Sequence, residues 1–117
     1  MKFKEDHSFE QRAEQSQKIL KKYPDRVPVV IERAAGGSVV GELERCKFLL
    51  PYDATVAGFM TTIRRQVVVN SSDGFFMFCG SKNVLVSGSN TFQHLYATYK
   101  DDDGFLYMLY SGENVFG

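Results

Sequence analysis

Few residues in this 117-residue chain could act as a nucleophile or a base. Only His7 and His94 supply imidazoles, and only Cys46 and Cys79 supply thiols. Cys79 with His94 is the one conceivable nucleophile–base pair. Cys79 ends an apolar stretch, however, where a cysteine is more often a buried, inert thiol. The residue types therefore predict no catalytic residues and no enzyme, and a thiol enzyme stays open as an alternative.

Motifs for metal or phosphate binding are incomplete. The acidic run Asp101–Gly104 lacks the spaced ligands and distal glutamate of an EF-hand, which favours a solvated turn over a calcium site. The two cysteines do not have zinc-site spacing. Gly36-Gly37 is not followed by the Lys-Ser/Thr of a phosphate loop. We therefore expect neither a metal nor a bound cofactor.

Composition narrows the class of protein further. Fourteen Lys and Arg balance fourteen Asp and Glu, so a strongly basic nucleic-acid binder is not indicated. The longest uninterrupted apolar run, Phe105–Tyr110, falls far short of the roughly 20 residues of a membrane-spanning helix. The N-terminus has no signal-peptide pattern. These features predict one soluble domain over residues 1–117. We also expect the protein to be monomeric in solution and cytoplasmic.

The elements that must position any site follow from periodicity. From Phe9 to Tyr23 apolar residues recur near the 3.6-residue period, and Ser8 with Gln11 can form a capping box. A shorter helix is predicted before it, over residues 3–7. Six further elements are predicted in chain order: strands over 27–32 and 46–51, a helix over 56–67 capped by Asp53 or Thr55, a strand over 75–79, a helix over 92–99 capped by Ser89 or Asn90, and a strand over 105–110.

This order of elements predicts an α+β fold with a four-stranded mixed sheet and a helix packed across it. Residues 80–90 are predicted to form a loop. Residues 1–23 form an N-terminal helical extension, residues 24–110 the core, and residues 111–117 a flexible polar tail.

Four sequence blocks resemble one family, the autophagy ubiquitin-like modifiers related to the GABA-receptor-associated and microtubule light-chain proteins. The blocks are Lys21-Lys22-Tyr23-Pro24-Asp25-Arg26-Val27-Pro28-Val29, Lys47-Phe48-Leu49-Leu50-Pro51, Thr55-Val56 with Phe59 and Ile63-Arg64-Arg65, and Phe105-Leu106-Tyr107 with the closing Val115-Phe116-Gly117. The resemblance covers essentially the whole chain. It implies a ubiquitin-like β-grasp preceded by two additional N-terminal helices.

The resemblance also implies a modifier that uses its terminal glycine. In this family the glycine is activated by an E1-like enzyme, passed to an E2-like enzyme and linked to phosphatidylethanolamine on autophagosomal membranes, and a cysteine protease processes and delipidates the product. Gly117 is the matching residue here. A glycine suits this chemistry because it has no side chain to clash in a narrow cleft.

A second implied property is the binding of cargo receptors through motifs of the pattern aromatic-x-x-aliphatic. Side chains alternate along a strand, so a peptide paired to the strand over 46–51 would send these two residues to opposite faces. The resemblance implies three sets of contacts: an aromatic pocket of Ile19, Pro28, Lys47, Leu49 and Phe105, an aliphatic pocket of Phe48, Leu50, Pro51, Phe59 and Ile63, and acidic-flank contacts at Arg26 and Arg45.

Four positions depart from the family pattern: Gln15, Ala54, Thr62 and Gln66. Gln15 replaces a carboxylate that can accept the indole hydrogen of a bound Trp, so a weaker Trp preference is expected. The smaller Ala54 and Thr62 suggest a wider or more polar aliphatic pocket. An unconjugated trafficking or cytoskeletal adaptor using the same groove remains the alternative function.

Overall fold

The computed structural model of the protein describes residues 1–36, 41–67 and 74–116. Its elements, in chain order, are α1 (Lys2–Asp6), α2 (Phe9–Lys22), β1 (Arg26–Arg33), β2 (Lys47–Pro51), α3 (Val56–Gln66), β3 (Phe76–Cys79), β4 (Val84–Leu85), α4 (Phe92–Tyr99) and β5 (Leu106–Ser111). The strands form one sheet in the order β2-β1-β5-β3-β4. β1 and β5 are parallel, and the other neighbouring pairs are antiparallel. The predicted α+β grasp fold with two N-terminal helices is confirmed.

Over the described ranges, the sheet has five strands rather than the predicted four. The extra strand, β4, has only two residues and lies inside the region predicted as a loop, where it pairs with Phe78 and Cys79. Two residues are too few to show an alternation of apolar and polar side chains, and β4 forms only because it pairs with β3. Ser111, which the sequence assigned to the tail, is the last residue of β5 because it pairs with Phe76.

The helix caps follow local chemistry. Ser8 and Gln11 form the predicted capping box at the start of α2. Thr55, one of the two predicted candidates, accepts the Gly58 amide at the start of α3. The prediction of Ser89 or Asn90 for α4 is wrong, because Thr91 caps that helix by accepting the His94 amide at 3.2 Å.

Alternation along β1 separates two hydrophobic clusters, one on each face of the sheet. Val27, Val29 and Ile31 face a large core formed with α3 and α4, whereas Val30 faces a smaller cluster beneath α1 and α2. The smaller cluster contains three aromatic side chains, Phe3, Phe105 and Tyr107. Since both faces of β1 are covered, residues 27–31 are all buried.

The acidic turn Asp101–Gly104 was predicted to be solvated, but Asp103 is buried, with 2% of its surface exposed. Its carboxylate accepts the Phe105 amide at 2.9 Å and the Tyr107 hydroxyl at 2.5 Å, and lies 3.3 Å from Arg12 Nε. Its carbonyl accepts a hydrogen bond from Ser16. This turn therefore joins α2 to β5 through a buried carboxylate that has partners for both oxygens.

The same turn, together with β1, holds α1 in place. Lys4 Nζ lies 3.0 Å from Asp101 Oδ1, and Glu32 of β1 accepts hydrogen bonds from the amides of Lys2 and Phe3.

The pKa of Asp101 reflects these contacts. Burial acts to raise the pKa of Asp101, but the hydrogen bond from the Asp103 amide and the charge of Lys4 outweigh burial, so the pKa is lowered. A lowered folded-state pKa means that the contribution of Asp101 to stability is present above its unfolded pKa and is lost as the pH falls through the acid range.

We predict that Asp103→Asn lowers the free energy of unfolding by about 3–5 kcal/mol, because it leaves Arg12 without its buried counter-charge. Urea unfolding at neutral pH measures this loss. Asp102→Asn is the matched control: Asp102 is exposed, and its substitution should change stability by no more than about 0.5 kcal/mol. Equal stability of the two variants would contradict the role assigned to Asp103.

Candidate functional site

The exposed edge of β2 is the centre of the candidate site. β2 pairs with β1 on one side, and among the described residues no strand lies on its other side. The amide of Ile31 donates to the carbonyl of Cys46 at 2.9 Å, which makes this a hydrogen-bonded pair of the antiparallel ladder. Because such pairs alternate, the backbone groups of Lys47 and Leu49 point away from β1. An extended peptide could therefore add to this edge.

Proline in β1 is compatible with this register. Pro28 lies opposite Leu49 in a pair that exchanges no hydrogen bonds, so no bond between β1 and β2 needs its missing amide. The parallel pairing with β5 begins one residue later, at Val29. Pro28 therefore occupies a position where neither neighbouring strand requires a hydrogen bond from its backbone nitrogen.

A cavity of about 340 Å³ opens beside this edge, on the face of the sheet covered by α2. The structure brings together all five side chains assigned to the aromatic pocket, together with Arg45 and Phe48. The lining residues are Ile19, Pro28, Arg45, Lys47, Phe48, Leu49 and Phe105. α2 contributes one wall through Ile19, and the start of the β5 segment contributes another through the buried Phe105.

Polar groups stand at the rim of this cavity. Lys47 Nζ donates to Gln15 Oε1 at 3.3 Å, so Gln15 lies within reach of the pocket. Arg45 lies with its guanidinium carbon 5.0 Å from the centroid of the Phe48 ring. The rim therefore combines two cations and a neutral amide around an apolar interior, a composition suited to an aromatic side chain with an acidic neighbour.

The residues assigned to the aliphatic pocket divide into two groups. Phe59 and Ile63 of α3 are 4% and 0% exposed, and Phe59 packs edge-on against Phe48 at 5.3 Å. Leu50 is half-buried and Pro51 is exposed at the end of β2. In this conformation the α3 residues can form only the floor of a binding surface, and the accessible part is formed by β2.

The two arginines assigned to acidic flanks lie at opposite ends of β2. Arg26 is opposite Pro51 in the register, whereas Arg45 precedes Lys47. Of the positions that depart from the family pattern, Thr62 is exposed and bonds back to the Gly58 carbonyl, and Ala54 packs against the core. Gln66 is exposed on the last turn of α3.

The alternative of a thiol enzyme finds no support in the geometry. Cys79 is 1% exposed, and burial raises its pKa to about 12, so the thiolate is scarce at neutral pH. His94 is exposed on α4. Cys46 is half-buried, and burial followed by the nearby Glu32 charge raises its pKa as well.

Sequence reasoning missed a second cavity, of about 350 Å³, at the start of β2. It is lined by Lys2, Phe3, Ile31, Glu32, Arg33, Glu42, Leu43, Glu44, Cys46 and Tyr110. The alternation of acidic residues over 42–44 was the available signal. The sequence alone could not assign these acidic residues to a cavity, because they come together with residues of α1 and β1 only in the folded structure.

The last described residues fold back on the sheet. The Phe116 ring contacts Phe78 of β3 with its centroid 4.8 Å away and its plane nearly perpendicular. Gly117, the residue predicted to be conjugated, lies outside the described residues. Within those residues no helix is both long enough and apolar enough to cross a membrane.

Comparison with known proteins identifies the family. Residues 11–117 match the family model described as autophagy protein Atg8, ubiquitin-like. Autophagy-related protein 8d of Arabidopsis thaliana is 42% identical over 115 residues, covering 98% of this chain and 93% of that protein, and autophagy-related protein 8a of the same plant is 41% identical, covering 98% and 92%.

A solved structure gives the same result at the level of the fold. The crystal structure of Trypanosoma brucei ATG8 superposes with a TM-score of 0.86 at 38% identity, covering 100% of this chain and 98% of that one. The sequence match and the superposition both extend over nearly the whole chain. This chain belongs to the Atg8 family of ubiquitin-like autophagy proteins.

Proposed function

We propose that the protein is a ubiquitin-like modifier that is conjugated through Gly117 to phosphatidylethanolamine and recruits partners carrying aromatic-x-x-aliphatic motifs. The observation that carries the peptide-binding part is the exposed edge of β2 beside a cavity lined by the five residues of the aromatic pocket. Family membership supports the conjugation. In this role the protein is not an enzyme but a substrate of enzymes.

In the proposed mechanism of binding, a peptide adds to β2 as a further strand. Its backbone bonds to the outward groups of Lys47 and Leu49, and its aromatic side chain enters the cavity between Ile19 and Phe105. The aliphatic residue, three positions on, lies over Leu50 and Pro51. Arg45 and Arg26 attract acidic residues at the two ends of the motif.

In the proposed conjugation, E1-like and E2-like enzymes activate and transfer the Gly117 carboxyl group. The amine of phosphatidylethanolamine displaces the E2 thiolate and forms an amide. The two acyl chains then anchor a cytoplasmic protein to the autophagosomal membrane. A processing and delipidating cysteine protease, and cargo receptors carrying the motif, complete the set of proposed partners, which includes no nucleic acid.

The alternative function is an unconjugated trafficking or cytoskeletal adaptor that uses the same groove. The two functions differ in their need for the terminal carboxyl group. An adaptor keeps its full cellular function when Gly117 is deleted, whereas a lipid-conjugated modifier loses it.

We predict that Gly117→Ala abolishes conjugation, since the enzymes that handle this terminus must accommodate a backbone without a β-carbon. The assay combines E1-like and E2-like enzymes, ATP and phosphatidylethanolamine vesicles, and measures protein that pellets with the vesicles. Asn114→Ala, an exposed change in the same tail, should be conjugated like the wild type. Vesicle-bound product from Gly117→Ala would refute the assignment of the reactive end.

We predict that Leu49→Asp weakens binding of an aromatic-x-x-aliphatic peptide about tenfold or more, because the bound peptide would bury an unpaired carboxylate. Titration calorimetry with one synthetic peptide measures this. Leu85→Asp makes the same change at an exposed position of β4, on the opposite edge of the sheet, and should leave the affinity unchanged. Equal affinities for both variants would place the peptide elsewhere.

We predict slow alkylation of Cys79 at neutral pH, because a thiol with a pKa of about 12 is ionised in only about one molecule in 10⁵ at pH 7. Iodoacetamide labelling followed by peptide mass spectrometry measures the rate. The half-buried Cys46 is the internal reference and should be labelled first. Preferential labelling of Cys79 would revive the thiol-enzyme alternative.

A further inference from the structure

The direction of a peptide on β2 follows from the order of the two binding surfaces, and this step depends on the function proposed above. The aromatic cavity is built on Lys47 and Leu49, and the accessible aliphatic surface follows at Leu50 and Pro51. A motif whose aromatic residue comes first must therefore run parallel to β2. Its N-terminal flank then passes Arg45 toward the segment over 42–44.

The second cavity lies at that end of the edge. β1 continues to Arg33, but its register with β2 ends with Val30 opposite Lys47, followed by the Ile31–Cys46 hydrogen bond. The cavity of about 350 Å³ occupies this notch, between α1 and the segment that leads into β2. Its apolar lining comes from Phe3, Ile31 and Tyr110, all buried, and from the half-buried Leu43. The two cavities adjoin at residues 45–47, because Cys46 lines the second cavity whereas Arg45 and Lys47 line the aromatic cavity.

The charge of the lining changes sign from the aromatic cavity to the second cavity. The aromatic cavity carries the cations Arg45 and Lys47, and the second cavity carries the carboxylates of Glu32, Glu42 and Glu44. Two cations also line the second cavity, Lys2 and Arg33. The three carboxylates therefore leave a local excess of one negative charge.

The carboxylates differ in how they are held. Glu32 accepts the amides of Lys2 and Phe3, and Glu42 is paired with Arg33 Nη2 at 2.8 Å. Glu44 is exposed and belongs to none of the ion pairs of the described ranges. A cation arriving at this cavity would therefore meet Glu44 first, with Glu42 two residues away.

We propose that the second cavity is a subsite for a lysine or arginine in the N-terminal flank of the bound motif, three to five residues before its aromatic. The spacing is counted along the sequence from the start of β2, because Glu44 and Glu42 precede Lys47 by three and five residues. The apolar lining suits the long aliphatic stem of such a side chain, and the carboxylates at the rim suit its charge.

The preferred partner therefore has an ordered charge pattern: a basic residue first, then an acidic residue beside Arg45 and Lys47, then the aromatic-x-x-aliphatic core. A partner with the opposite order would place like charges together at both cavities, which penalises it.

The test uses synthetic peptides that share one acidic-aromatic-x-x-aliphatic core and differ at the position four residues before the aromatic, where they carry Lys, Gly or Glu. Fluorescence anisotropy at low salt measures the dissociation constants. The Lys peptide should bind about two- to tenfold more tightly than the Gly peptide, and the Glu peptide more weakly, as expected for partly exposed ion pairs.

The double variant Glu42→Gln/Glu44→Gln should remove the preference for Lys and leave the affinity for the Gly peptide unchanged. The control double variant Glu10→Gln/Asp102→Asn removes two exposed carboxylates that line neither cavity and should keep the preference. Thermal unfolding of both variants verifies that they fold.

Two results would overturn the subsite while leaving the groove intact: equal affinities of the Lys and Gly peptides, or a preference for Lys that survives in Glu42→Gln/Glu44→Gln. Failure of the Gly peptide to bind the wild-type protein would overturn the groove itself, and the subsite with it.

Discussion

The buried carboxylate of Asp103 is the constraint on which the candidate site depends. It accepts hydrogen bonds from the Phe105 amide and the Tyr107 hydroxyl, and it lies beside Arg12. The main-chain carbonyl of Asp103 accepts a further hydrogen bond from Ser16 of α2. These contacts fix α2 against the segment that leads into β5. Those two elements form two walls of the aromatic cavity, through Ile19 and Phe105, so the ion pair that anchors α2 also sets the distance between these walls.

The second constraint is the position of β2 at the edge of the sheet. An exposed edge invites pairing with other chains, and proteins usually limit this with short strands, lysine and proline. β2 has five residues, begins with Lys47 and ends with Pro51. These features restrict pairing to a short extended partner, and the adjoining cavity adds selectivity for its side chains. In this member of the Atg8 family, the device that limits aggregation and the proposed recognition surface are the same strand.

Much of the fold could be predicted from local pattern. The capping box at Ser8 and the alternation along β1 were clear because hydrogen bonding within a turn and burial of one face both act over a few residues. β4 was not predicted because a strand of two residues shows no alternation of apolar and polar side chains. Asp103 was predicted to be solvated because an acidic run is usually exposed, and nothing near it in sequence revealed that Arg12 and Tyr107 would meet it.

The sequence by itself determined the helix boundaries to within a few residues, which side chains share a face of each strand, and the family to which the chain belongs. Only the tertiary structure decided that β2 lies at the edge, that Phe59 and Ile63 form a floor rather than a wall, and that Glu42 and Glu44 border a cavity. The physical reason is the sequence separation of the residues that interact. Periodicity and capping are set by neighbours along the chain, whereas sheet order and cavities depend on contacts between residues far apart in sequence.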